Sequence, residues 1–257
     1  MSPLNYSMAS AVAETEAPPI PKAQAWGETY ASSSLSTSRP LLDLSQGVPL
    51  AAPHPTVLEA ISRTSSDPAS ARYGPIMGES SLRSALAEEI RLNYRLDHKQ
   101  VVADDVCITT GCNMAFLTLL MAVCPPGSAV LLPLPSYFNH TMSLSLQSLK
   151  PVYIPCQPDS TFTPSLDAAR AYLSDPKGEP PRMITLVTPN NPTGAVYEPE
   201  ELKRWYDLAK EFKVALVVDE TYRDFVEGSG DEAGGWPHRL FEEEDWRGTL
   251  VSLGSFS

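Results

Sequence analysis

Basic side chains are scarce in this 257-residue chain: 19 Lys and Arg stand against 31 Asp and Glu, a formal net charge of −12. Nucleic acid and anionic membrane surfaces are read by clustered Lys and Arg, so neither is an expected partner. Cysteine is sparse as well. Cys107, Cys112, Cys124 and Cys156 form no C-x-x-C pair, and three of them lie in or beside apolar runs. That favours a reduced chain over a disulfide scaffold or a zinc site. The N-terminus shows no basic segment leading into an apolar one, so no secretory signal is visible and a cytoplasmic location is expected. The longest apolar run, residues 114–124, is too short to span a bilayer. No internal repeat is apparent.

What is present is an α/β pattern centred on residues 182–222. A β-branched, apolar run at 183–188 is followed by Pro189-Asn-Asn-Pro-Thr-Gly194, a helical pattern at 198–213, and a second apolar run at 215–219 that leads into Glu220-Thr221-Tyr222. Two short apolar runs around such a helix make a βαβ unit, whose strands are parallel and buried. Ligands in open α/β sheets sit outside the carboxyl ends of the strands. Asn191 and Asp219 are therefore expected to face one crevice.

Along the chain, residues 1–40 are rich in Ser, Ala and Pro and read as a mobile arm, with Trp26 and Tyr30 as candidate anchors. Residues 41–48 form a short extended piece containing Gly47. Helices are expected at 55–65 and 79–95, separated by Arg72-Tyr73-Gly74-Pro75-Ile-Met-Gly78. A strand at 106–110 runs into Gly111-Cys112-Asn113 and a helix at 114–123. The N–H groups that open such a helix point outward and attract an anion, although Thr110 or Asn113 also reads as an ordinary helix cap. Strands follow at 129–134 and 151–156, with Pro135-Ser136-Tyr137-Phe138-Asn139-His140 at the carboxyl end of the first. A helix spans about 140–149, and another, capped by Thr163 or Ser165, spans 163–173. Residues 174–181 are a surface turn. Residues 227–247 hold seven acidic residues against two arginines and read as a solvated insertion before a last strand ending near Ser255.

Asn-Pro-Thr-Gly after one strand and Asp-x-x-Tyr after the next resemble the large domain of class I/II aminotransferases, pyridoxal-phosphate (PLP) enzymes of the aspartate-aminotransferase fold. Tyr-Gly-Pro-x-x-Gly from Tyr73, Thr110-Gly111 and the Tyr137 loop are similar to further segments of that family, in the same order. The resemblance covers about residues 41–257. It implies a three-layer αβα fold with a mostly parallel sheet, incomplete here, with residues 1–40 as an arm and 41–257 as the PLP-binding domain. It also implies transfer of an amino group between an amino acid and a 2-oxo acid, by a homodimer.

On that resemblance the Gly111 and Cys112 N–H groups hold the PLP phosphate, with Ser255 as a further contact. Tyr137, with Phe138 as second choice, stacks on the ring. Asp219 faces the ring nitrogen with His140 behind it, and Asn191 and Tyr222 donate to the ring phenolate oxygen. Tyr73 reaches into the site of the partner subunit, and Gly47 lies on the substrate side. Unit charges 4 Å apart interact by about 4 kcal/mol at an effective dielectric near 20. A helix start offers an anion only about 0.3–1 kcal/mol. Asp219 is therefore expected to dominate the electronics and Gly111 the positioning. The family's Schiff-base lysine is expected immediately after Ser257, so no catalytic lysine is assigned within this sequence. Each element also has a plainer reading: Asn-Pro-Thr-Gly as a turn, Asp219 as a helix cap, His140 as a structural residue, Gly47 as part of a turn. Two other functions stay open, another PLP reaction such as an elimination or an ACC-synthase-like cyclisation, and a non-catalytic binding module.

Overall fold

The computed structural model describes residues 5–47, 51–157, 161–175, 180–226 and 238–256. Part of the acidic stretch, part of the turn at 174–181, Val48 and Ser257 lie outside the described residues. The chain divides into two compact units, one of residues 16–76 and one of residues 1–15 with 77–257.

The unit 16–76 contains α2 (Pro19–Ala31) and α3 (Pro55–Ser65), after the single-turn α1 (Ser10–Ala13) of the other unit. The stretch read as an arm without periodic structure thus holds a three-turn helix. Pro19 opens it because a helix start has no use for the missing N–H and the ring sets the required φ. It buries no residue, which is why its apolar periodicity is weak in the sequence. Residues 41–47 form no strand. In α3, His54 caps the helix by accepting the Thr56 N–H at 3.3 Å.

Among the described residues, the larger unit is built on a five-stranded, wholly parallel sheet. Its strands are β1 (Ala129–Pro133), β2 (Lys150–Ile154), β3 (Pro181–Val187), β4 (Ala215–Asp219) and β5 (Leu250–Leu253), in the spatial order β2-β1-β3-β4-β5. The helices are α4 (Ser80–Asn93), α5 (Cys112–Val123), α6 (Phe138–Leu146), α7 (Leu166–Ser174) and α8 (Pro199–Phe212). Side chains alternate across each strand, and so the core splits in two. Leu131, Ile184, Leu186, Leu216 and Val218 pack on one face with Trp205, Leu202 and Leu208 of α8. Val130, Leu132, Met183 and Val217 pack on the other with Phe116, Leu120 and Leu144 of α5 and α6. Strands covered on both faces read as unbroken apolar runs. Edge strand β2 carries Lys150 and Pro151, which discourage pairing with another chain.

Two expectations fail here. Residues 106–110 are not a strand, because among the described residues they have no ladder partner; the Ile108 N–H is donated to the Met77 carbonyl at 3.0 Å. Residues 238–247 are not a solvated insertion either. Leu240, Phe241 and Trp246 are buried in the core on the α8 side, and the acids between them point outward to Lys203, Lys210 and Arg239. The α7 cap is resolved in favour of Ser165, whose hydroxyl accepts the Ala168 N–H at 3.2 Å.

Leu186 is fully enclosed in the central strand. Leu186→Ala is expected to cost about 2–5 kcal/mol in urea unfolding, whereas Met121→Ala, at an exposed position of α5, should stay within about 0.5 kcal/mol. Equal effects at the two positions would contradict the assignment of the core.

Candidate functional site

Parallel registration brings three strand ends level: Val187 pairs with Asp219, and Asp219 with Leu253. Asp219 continues the alternation of Val217, so its carboxylate turns toward the α5 and α6 side. It is 3% exposed. His140, on the first turns of α6, approaches its Oδ2 through Nε2 at 3.1 Å. Oδ1 accepts from the Thr221 N–H at 3.1 Å and from the Thr221 hydroxyl at 2.7 Å. Burial favours the neutral acid, but His140 and Thr221 outweigh it, and the carboxyl is held below its ordinary pKa. Asp219 is a buried anion at the mouth of the sheet.

Of the groups singled out from the sequence, His140, Cys112 and Tyr137 lie near it. Tyr137 packs edge-on against His140, with ring centres 5.2 Å apart, and its hydroxyl accepts from the Asn139 amide at 2.8 Å. Burial raises the Tyr137 pKa, and Tyr222 and Asp219 are close enough to add to the rise. Tyr222 is 41% exposed and contacts Phe225. Phe138 packs on Tyr137. The Asn191 side chain, half-buried in the turn after β3, engages no internal hydrogen-bond partner among the described residues. Its neighbour Asn190 builds that turn, accepting the Thr193 N–H and hydroxyl at 3.1 and 2.8 Å. Ser255 follows two residues after β5. Gly47 and Tyr73 belong to the unit 16–76, where Tyr73 is fully exposed.

The start of α5 requires one correction. The Gly111 N–H is already donated to the Thr109 carbonyl at 2.9 Å, so it is not free for an anion. The N–H groups without an acceptor among the described residues are those of Cys112 and Asn113, since the Gly111 carbonyl takes the Met114 and Ala115 N–H groups. Gly111 adopts φ of +91°, and a Cβ there would meet nothing within 4 Å, so the helix start is approachable. The Cys112 thiol lies 3.9 Å from Asp219 Oδ1 and 3.3 Å from the Thr221 hydroxyl oxygen. Burial, then the Asp219 charge, pushes its pKa up to about 11, so it stays a neutral thiol.

Sequence reading missed Glu220. Its carboxylate is fully buried on the opposite face of the sheet, where it accepts from the Tyr94 hydroxyl at 2.5 Å and the Ser252 hydroxyl at 2.6 Å. His238 Nε2 lies 3.5 Å away. The available signal was a second acid directly after Asp219, which strand alternation sends to the other side.

The chain belongs to the aminotransferase class I and II family, whose sequence profile matches residues 39–257. An aromatic aminotransferase of Arabidopsis thaliana, ISS1, is 33% identical over 186 residues, covering 72% of this chain and 45% of that protein. The Arabidopsis cystine lyase CORI3 is 32% identical over 157 residues, 61% of this chain and 36% of that protein. The solved alanine aminotransferase of Pyrococcus furiosus superposes with a TM-score of 0.80 at 21% identity, covering 96% of this chain and 59% of that one. The chain thus spans about half or less of the length of the curated relatives it matches.

Glu220 is also held below its ordinary pKa, its burial outweighed by His238, Ser252 and Tyr94. A depressed carboxylate stabilises the fold above its unfolded pKa, and that stability disappears as pH falls through the folded value. Denaturation midpoints should be level from about pH 7 to 5 and decline below that, with a shallower decline in Asp219→Asn. An unchanged slope in that variant would contradict the buried-anion assignment.

Proposed function

We propose that this chain forms the PLP-holding part of an enzyme that moves an amino group between an amino acid and a 2-oxo acid. The observation that carries the reading is Asp219: an ionised, enclosed carboxylate at the level ends of the central strands, beside Tyr137 and Tyr222 and the open start of α5. These groups match the donors and acceptors of PLP. The Cys112 and Asn113 N–H groups, with Ser255, would hold its phosphate. Tyr137 would cover one ring face and keep water from it. Asn191 and Tyr222 would donate to the ring oxygen, and Asp219 would hold a proton on the ring nitrogen. When bound, the cofactor supplies an electron sink for the substrate Cα. His140 orients Asp219 and keeps its charge in place.

Among the lysines, Lys203 and Lys210 lie on α8, tied to Asp207, Glu243 and Asp245, and neither is offered as a proton carrier. A homodimer is proposed, with Tyr73 contributed to the partner's site and Gly47 on the substrate side, together with a cytoplasmic location. An elimination reaction is the second reading, favoured by one relative that is named a cystine lyase.

Pyridoxamine 5′-phosphate binds without needing a lysine, so calorimetry on this chain tests the cofactor assignment. Wild-type protein is expected to bind it, and Asp219→Ala about tenfold more weakly, which is 1.4 kcal/mol. No binding by wild type, or equal affinity in the two proteins, would remove the proposal.

A further inference from the structure

The turn after β4 presents its side chains to two sides. Asp219 and Tyr222 lie on the α5 and α6 side, where Tyr137 is close to both. Glu220 and Arg223 are buried behind the sheet. Strand alternation makes this necessary, because Asp219 follows Val217 to one face and Glu220 follows Val218 to the other. Tyr222 is 41% exposed and has Phe225 as its ring neighbour, so its own contacts fix little of its direction. The backbone of the turn must fix it. The Glu220 N–H is donated to the Leu253 carbonyl at 2.9 Å, and the Glu220 carbonyl accepts the Arg223 N–H at 3.0 Å. The Glu220 carboxylate is gripped by Tyr94 at 2.5 Å and Ser252 at 2.6 Å, with His238 at 3.5 Å. Tyr94 is itself 5% exposed, wedged against the rings of His238 and Phe241 at 4.9 and 5.0 Å. It ends α4, and 126 residues separate it from Glu220.

We propose that Tyr94 is a positioning residue for the cofactor site, a bolt that acts through the Glu220 carboxylate to hold the turn 219–223 so that Asp219 and Tyr222 face the crevice together. The inference rests on the PLP reading above, but the bolt itself is a property of the chain. Arg223 strengthens it. Its guanidinium lies against the Tyr94 hydroxyl and Glu220, so the two rearward side chains of the turn converge on one phenol. A phenol removed from this place takes the 2.5 Å donor from Glu220 Oε1, and the turn gains freedom to reorient.

The test compares wild type with Tyr94→Phe. Three readouts are used: affinity for pyridoxamine 5′-phosphate, affinity for inorganic phosphate, and amide hydrogen exchange across the turn. The phosphate contacts at Cys112 and Asn113 do not depend on Glu220. Tyr94→Phe is therefore expected to weaken pyridoxamine 5′-phosphate by about tenfold, leave inorganic phosphate unchanged, and speed exchange of the Thr221 and Arg223 amides. A merely structural tyrosine would lower both affinities alike, or neither, with exchange at 219–223 no faster than in α5. Either result overturns the proposal. Should Tyr94→Phe fail to fold, Ser252→Ala loosens the same carboxylate from its other oxygen, and the same contrast decides. If wild type binds phosphate but not pyridoxamine 5′-phosphate, the cofactor reading fails, and the exchange data still decide whether Tyr94 holds the turn.

Discussion

An ionised carboxylate enclosed at the end of a central strand is expensive unless its partners are fixed before it is buried. Asp219 meets that condition from three separate parts of the chain. Nε2 of His140 comes from α6, the hydroxyl and N–H of Thr221 come from its own turn, and the strand itself is held in register between β3 and β5. The loop before α6 must deliver His140, and that same loop carries Tyr137. The demand made by one charge thus also places the aromatic ring beside it.

The sheet supplies the second constraint. With every strand parallel and both faces covered, alternate side chains commit to one helical layer or the other. The site lies where this rule meets polar residues at consecutive positions. Asp219 goes to the layer of α5 and α6, and Glu220 goes to the layer of α4 and α8. One carboxylate meets His140 and Cys112 and the next is enclosed by Tyr94, Ser252 and His238. Chemistry and anchoring are separated by a single peptide unit.

Much of this was legible in the residues. The unbroken apolar runs of β1, β3 and β4 marked buried parallel strands. The helical pattern at 198–213 marked α8, and Asp219 was read at the strand end where β4 closes. What failed were features that depend on distant partners. Residues 106–110 have strand composition, yet composition does not provide a ladder partner. Leu240, Phe241 and Trp246 were obscured by the acids around them, because local charge density says nothing about which side chains a core will accept. One difference is local instead: the Gly111 N–H, expected on an anion, is donated to the Thr109 carbonyl within a turn. Tyr94 was unreadable as a site element, since its role exists only through a residue far along the chain.

The central claim is that the Asp219 charge is aimed at a protonated heterocycle. The most direct measurement is the nitrogen chemical shift of ring-labelled pyridoxamine 5′-phosphate bound to this chain. The account predicts a pyridinium shift at neutral pH that reverts toward the unprotonated position in Asp219→Asn. An unprotonated ring nitrogen in the wild-type complex would contradict it.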